Sequence, residues 1–377
     1  MKKLNSLLHP SRRTIVKASL ALGSLACATP LLAQPAVIKP KRKVVIAYGV
    51  PTLDSMASAC FSSIPLGAGF FADEGLDVEI QPMNGASAAI SVVASGGAQF
   101  STHSSGALLP AVGKGVPIKA FIVQIPDSFS SIAVLEDSRV KKVEDLKGLT
   151  IGVAALTGAP TLLIKSVLSK LGWDPNKDVQ WLAVGTGAPA LDALRRNRVD
   201  ALGLWMTPYA MFEFQGAKFR YFRPEPLPSV GFTHTTNVLD AVVAKDPDLV
   251  TTMSRALAKS LVFMLAAQPD EIAKLHFKTY PAARPVSLSD DDLLRLERSA
   301  IAATIPYMRP NERFESRAER LGDETDARIT ELAKVLQEGG EIPAALPPER
   351  YFTRQFIPAM NAIDFDAVMA QAREFRA

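Results

Sequence analysis

The chain has 377 residues, 48% of them hydrophobic, with 42 basic against 38 acidic side chains and two cysteines. That length excludes a small disulfide-stapled scaffold and suffices for two lobes around large buried cores. The surplus of positive charge lies at the N-terminus: residues 1–33 hold Lys2, Lys3, Arg12, Arg13 and Lys17 and no acid, so the rest carries 37 basic against 38 acidic residues and lacks the electrostatic footing of a nucleic-acid binder.

Residues 1–33 read as an export signal of the twin-arginine type. Ser11-Arg12-Arg13-Thr14 precedes Lys17, an apolar run from Ala18 to Ala28 follows, and a cut is expected near Ala33. The run is too short and too rich in small residues for a membrane span. A general secretory signal that happens to carry two arginines is one alternative. Lipid attachment at Cys27 is another, against which Ser24 stands where a large aliphatic residue is preferred. Either route implies a periplasmic protein. Cleavage leaves Cys60 as the last cysteine, so no intramolecular disulfide is expected. After the signal no stretch reads as long and apolar enough to span a bilayer, and the mature protein is expected to be soluble.

Residues 34–43 form a loose leader. Val44–Tyr48 reads as a strand, Gly49–Ser63 as a loop, and Ile64–Phe71 as a helix that stops at Gly75. Strand Asp77–Gln81, the turn Asn84-Gly85-Ala86-Ser87, helix Ala86–Ser95 and strand Ala98–Ser101 complete an α/β unit. The polar run Ser101–Ser105 reads as a loop, followed by a helix through Leu108 and Leu109 and a strand at Pro117–Val123. The alternation argues for parallel or mixed sheets flanked by helices. A second series begins at strand Ser130–Leu135. It continues with a charged segment at 137–145, strand Leu149–Ala154 and a small-residue turn at 155–160 that opens a helix with Pro160 near its start. That helix runs to Leu171. Strand Val179–Val184, a helix, strand Val199–Leu204 and a short helix from Pro208 follow. Val230–Val243 reads as extended chain returning to the first lobe. From Pro247 onward the pattern is helical, at Leu249–Leu257, Asp270–Tyr280, Ser289–Ile305 and Thr325–Leu336, and the charge-dense stretch Glu315–Arg328 reads as a solvated helix surface.

The unit repeats. Laying Asn84 on Gly185 places Ala89 on Ala190, Ile90 on Leu191, Val93 on Leu194 and Ala98-Gln99-Phe100 on Val199-Asp200-Ala201. A small turn, an apolar helix face and a short strand recur in register. Two lobes of similar build are implied, each offering a helix N-terminus, where N–H groups and the helix dipole favour negative charge.

The blocks "GFFADEGLDVEI", "SGGAQF", "KGVPIKA", "VEDLKGLTIGV" and "VGTGAPALDALRRNRVDALGLW" stand in an order that resembles periplasmic substrate-binding proteins of the nitrate/sulfonate/taurine group, relatives of the thiamine-pyrimidine synthase-like proteins. The resemblance spans Val44 to Pro208, with a looser match beyond. It implies a two-lobed periplasmic binding protein fold of type II, each lobe a mixed sheet flanked by helices, with C-terminal helices. The lobes are expected at 44–128 and 129–232, with residues 233–377 returning to the first lobe. It also implies a ligand held between lobes and delivered to an ABC permease in the inner membrane. The protein is expected to be a monomer with no cofactor and no structural metal.

The ligand loops expected from this arrangement carry Pro51, Asp54, Asn84, Gly85, Ala86, Ser87, Ser101, Thr102, His103 and Ser104 in the first lobe, and Thr157, Gly158, Thr186, Gly187 and Trp205 in the second. Their hydroxyls and backbone N–H groups suit a carboxylate, a sulfonate or a polar ring edge. The Trp205 ring offers stacking or core packing, and His103 either a ligand contact or an ordinary loop role. Two further readings stay open. Aryl-sulfinate desulfinases of this fold use a nucleophilic cysteine in the loop after the first strand, where Cys60 lies, although its neighbours Ala59 and Phe61 suggest packing. A periplasmic sensor would use the same cleft. The Cys-rich iron motif of the fungal pyrimidine synthases is absent.

Overall fold

The computed structural model describes residues 41–53, 58–156, 159–225, 227, 230–284, 288–309 and 320–377. The signal, residues 34–40 of the leader, Asp54, Thr157 and Gly158 lie outside them, and the leader's last two residues are already strand.

The first sheet has the order β2-β1-β3-β10-β4, built from β1 (Arg42–Tyr48), β2 (Leu76–Pro82), β3 (Phe100–Ser104), β4 (Ile118–Ile125) and β10 (His234–Leu239). The second has the order β7-β6-β8-β5-β9, built from β5 (Ser130–Leu135), β6 (Thr150–Val153), β7 (Gln180–Ala183), β8 (Ala201–Trp205) and β9 (Phe219–Phe222). In each sheet the fourth strand runs against its neighbours: β10 against β3 and β4, β5 against β8 and β9. These are the two helix-flanked mixed sheets that the resemblance implied.

The chain starts α1 (Ser63–Gly67) and α2 (Phe70–Asp73) where one helix was expected, because Gly69 at φ 86° breaks the run. The repeat is borne by the backbone: α3 (Ala86–Ala94) follows β2 and precedes β3, as α6 (Ala188–Arg195) follows β7 and precedes β8. Helices α4 (Ser105–Gly113), α5 (Ala159–Lys170) and α7 (Met206–Phe214) complete the α/β portions. Of the expected loop Ser101–Ser105, the first four residues are instead strand and Ser105 opens α4. Ser101, Thr102 and His103 are buried in β3, because β10 meets them with an equally polar run, Thr235-Thr236-Asn237. The expected extended segment also ends sooner, at Leu239, where α8 (Asp240–Lys245) begins; strand β9 had no clear pattern in its sequence.

The helical remainder is α9 (Pro247–Ala266), α10 (Pro269–Thr279), α11 (Asp290–Thr304), α12 (Asp326–Glu338), α13 (Ile357–Asn361) and α14 (Phe365–Glu374). By length and composition α9 is apolar enough to cross a membrane, contrary to expectation. Here it is a core helix: Leu249, Val250, Met253, Ala256, Leu257, Leu261 and Phe263 are buried, and α1, α2, α13 and α14 pack on it. Two of these helices reach the second lobe, α11 against α7 and α12 against α5. Lys170 of α5 meets Glu331 of α12 at 2.7 Å.

The acidic end of the "GFFADEG" block has a structural use. Glu74, its side chain 9% exposed, receives Arg255 Nη2 at 2.6 Å and Lys259 Nζ at 2.9 Å from α9. Burial alone raises a carboxyl pKa, but the two donors outweigh it and hold Glu74 below its usual range. We expect Glu74→Ala to strand two cations against the core and cost about 3 kcal/mol in urea unfolding. A loss within error of zero would show that the pair is solvated.

Candidate functional site

Two crossovers join the sheets. Residues 126–129 link the end of β4 to the start of β5, and residues 223–233 link the end of β9 to the start of β10. The pairing fixes what they connect. Ser130, first in β5, lies opposite Trp205, last in β8; His234, first in β10, lies opposite Ser104, last in β3. Both crossovers therefore run between the C-terminal edges of the parallel strands. Those edges are where α3, α4, α6 and α7 begin, so a space between the lobes is ringed by helix N-termini. No side chain caps α3, α6 or α7.

The first lobe brings Pro51, Asn84, Gly85, Ala86, Ser87 and Ser104 to this edge, exposed or half-buried. Ser104 Oγ caps α4 by accepting the Gly106 N–H at 3.3 Å. Gly85 takes φ 104°, a conformation that a side chain resists. Gly49 lets the loop after β1 pass close: a Cβ there would lie 2.8 Å from His103 Cβ and 2.9 Å from Ala86 Cα. The second lobe brings half-buried Thr186, Gly187 and Trp205, the last ending β8 and starting α7. Gly187 is extended, at φ −102°; the positive φ of this turn sits on Gly185, at 75°.

Ser101, Thr102 and His103 lie inside the sheet, behind that edge. Thr102 Oγ1 pairs with Thr236 Oγ1 at 2.9 Å, and Gln124 Nε2 donates to the same Thr236 oxygen. On the other face His103 Nδ1 donates to the Ser104 carbonyl at 3.0 Å, leaving Nε2 to accept from Ser101 Oγ at 3.1 Å and Asn237 Nδ2 at 3.2 Å. Protonating Nε2 would break both accepted bonds, and burial lowers the pKa of His103 to about 4.

His234 was not among the site residues expected from the sequence. It starts β10 at the lobe-facing edge, next to an irregularity in its register with β4. Its ring stacks on Phe61 at 6.0 Å, and Phe61 packs on Tyr48 at 4.8 Å. Burial takes its pKa down to about 3, so the ring is neutral. His234 Nδ1, Gln124 Oε1, Ser128 Oγ and Thr207 Oγ1 are buried with no partner among the described residues. All four lie on or beside the lobe-facing edges. Position relative to a crossover was the missing signal: without the register of β10, His234 is one more histidine in an extended segment.

Residues 67–272 match the NMT1/THI5-like family. The chain belongs to that family. It is 26% identical over 299 residues to the riboflavin-binding protein RibY of Chloroflexus aurantiacus, a match covering 77% of this chain and 80% of the relative. Its fold is that of the periplasmic aliphatic sulphonate binding protein SsuA from Escherichia coli, with TM-score 0.60 and 15% identity over 82% of this chain and 91% of the other. The desulfurization enzyme DSZB shares it too, with TM-score 0.52 and 15% identity over 84% of this chain and 98% of that one.

A third buried histidine ties the C-terminal helices to this edge. His276 of α10 donates from Nε2 to the Leu53 carbonyl at 3.2 Å and accepts from Ser63 Oγ at Nδ1, 3.0 Å away; burial lowers its pKa to about 4. For all three histidines the folded pKa lies below that of the unfolded chain. Their stabilisation is therefore complete above about pH 6.5 and drains away as pH falls toward the folded values. Each contributes up to about 1.4 kcal/mol per pH unit in that window. Chemical denaturation at pH 7.5, 6 and 5 should show a falling free energy of unfolding. Flat stability across the window would mean that the imidazoles are not buried neutral.

Proposed function

We propose that this chain is the solute-binding component of an ABC importer, exported to the periplasm, that holds a small planar heteroaromatic nutrient between its lobes. On this reading residues 1–33 are the signal, 129–232 form one lobe, and 44–128 with 233–377 form the other. The permease is the partner, the protein acts as a monomer, and the listener to the bound state is a transporter rather than a sensor.

One observation carries the ligand class. The lobe-facing edges present neutral groups: helix N–H groups, four unpartnered buried polar atoms and the aromatic surfaces of Trp205 and the Phe61–His234 stack. The cations near the crossovers, Arg223, Arg309 and Arg328, each reach a protein acceptor, and of their nitrogens Arg223 Nε is buried with neither a hydrogen bond nor an ion pair among the described residues. A flat ligand with polar edges uses such a lining fully, whereas a bare anion would leave the aromatic faces and acceptor atoms idle. The relative named for riboflavin binding points the same way. A small anionic nutrient such as a sulfonate, nitrate or taurine is the alternative ligand, supported by the likeness to SsuA in fold. The desulfinase-like reading is less supported. Cys60 is 2% exposed in the hydrophobic core beside Phe61, so reaction with a substrate would require that packing to open.

A thermal-shift screen of riboflavin, an aminopyrimidine, benzoate, taurine, methanesulfonate and nitrate tests the proposal. A true ligand at a hundred times its dissociation constant adds about 2.7 kcal/mol of stability. We expect the heteroaromatic compounds to shift the transition. Shifts from sulfonates or nitrate alone would overturn the ligand class while leaving the binding role.

With a ligand in hand, Gly187→Val tests where it sits. A Cβ at Gly187 has open space, its nearest neighbour being Pro189 Cδ at 3.8 Å, so the fold should persist while the branched side chain enters the interlobe space. Affinity should fall roughly tenfold, about 1.4 kcal/mol. Wild-type affinity in this variant would place the ligand away from the α6 N-terminus.

A further inference from the structure

The crossovers are held by more than their own residues. They bond to each other through the Ser128 N–H to the Val230 carbonyl at 3.2 Å, Thr233 Oγ1 to the Pro126 carbonyl at 3.4 Å and Arg223 Nη2 to the Ser128 carbonyl. The C-terminal region then grips both. Asp127, in the first crossover, forms an ion pair with Arg309, whose Nε lies 3.1 Å away, and accepts a hydrogen bond from Arg328 Nη2, and Arg328 also donates to the Pro126 carbonyl. Glu324, its side chain fully buried, accepts the N–H of Phe232 in the second crossover at 3.3 Å. The same carboxylate meets Arg309 Nη2 at 3.3 Å and Arg328 Nε at 3.5 Å. Two acids and two arginines close a charge-balanced ring that links one crossover to the other.

Tyr307 extends the grip. Its carbonyl accepts the Asp127 N–H at 3.2 Å, and the Arg223 guanidinium lies 5.0 Å over its ring while donating to the Ser128 carbonyl. Two residues of this assembly take a backbone conformation uncommon for their type: Phe232 at φ 58° and Arg309 at φ 50°. Neither is glycine, so each carries a local cost that persists only where surrounding contacts over-determine it. Phe232 is fully buried, with its ring edge-on to Phe352 at 5.7 Å and its N–H on Glu324.

We propose that Glu324, Arg309, Arg328 and Asp127 form a clasp through which the C-terminal segment sets the angle between the lobes, with Glu324 as its keystone. Lobe movement must turn the backbone of the two crossovers, and the ring pins Pro126 and Asp127 in the first and Phe232 in the second. A charge pair of this kind is bistable rather than elastic: removing one partner leaves another charge buried and unpaired, so the linkage holds or lets go. The C-terminal helices are then part of the hinge.

Spin labels at Ser91→Cys on α3 and Asp192→Cys on α6, both exposed positions, report the interlobe distance by pulsed electron resonance in a chain carrying Cys27→Ser and Cys60→Ser. With the clasp intact we expect one narrow distance without added ligand. Glu324→Gln should populate a second distance, and hydrogen exchange at residues 127–129 and 230–234 should quicken roughly tenfold or more. Asp127→Asn, at a position a quarter exposed, should show the same change more weakly, and it serves if Glu324→Gln fails to fold. Unchanged distances and exchange in a folded variant would overturn the proposal. So would crossover amides that already exchange, in the unaltered ring, as fast as those of the exposed loop at Gly96 and Gly97.

Discussion

One antiparallel strand in each sheet decides the layout of this molecule. β5 and β10 are the first strands after the two crossovers, and each enters its sheet against the direction of the strand beside it. That reversal requires each crossover to start and finish at the C-terminal edges of parallel strands. Helix N-termini gather at those edges in every α/β unit, because the turn from strand to helix lies there. The ring of N–H groups between the lobes is thus a consequence of topology, before any individual side chain is chosen. What the side chains add is selectivity and rigidity.

The polar interior of the first sheet belongs to the rigid part. Ser101, Thr102 and His103 meet Thr235, Thr236 and Asn237 across one ladder, and the two faces carry separate hydrogen-bonded sets. Such residues would be costly in a strand unless every group found a partner. Here the partners come from a strand 134 residues later in the chain at the Thr102–Thr236 pair, so the match also fixes the register of β10. That register in turn puts His234 opposite Ser104 at the edge. The satisfied histidine holds the frame, and the neighbouring histidine at the edge keeps a buried Nδ1 with no partner among the described residues.

Much of this was legible from the residues. The repeat offset, the small turns and the alternation of patterns gave both sheets and most helices, because local chemistry decides where a helix starts at Gly85 or stops at Gly75. The polar run at Ser101 was misread for a physical reason: short polar residues look like a loop until their distant partners are known. Strand β9 was missed because Phe219–Phe222 is half-buried throughout and shows no alternation. The apolar α9 resembled nothing special in sequence, since length and hydropathy alone do not say what packs around a helix. Among the candidate site residues, those in turns sit at the edge and those in β3 sit behind it, a distinction that needs the strand boundary rather than the composition.

The charge-dense stretch near the C-terminus shows the same limit most sharply. Read by composition, Glu324 and Arg328 belong to a solvated helix surface, and for an ordinary run of mixed charge that is the sound inference. Burial reverses it. A carboxylate removed from water must be compensated on several sides, and Glu324 is: by two guanidinium groups and by a backbone N–H from a different part of the chain. Those compensating groups come from elements that no local pattern connects. A buried ion cluster is weak evidence for stability in itself, since apolar packing of the same volume often does as well. Its advantage is directional: it tolerates one arrangement of the crossovers and penalises others, and a protein whose two lobes must present matching edges gains from that restriction.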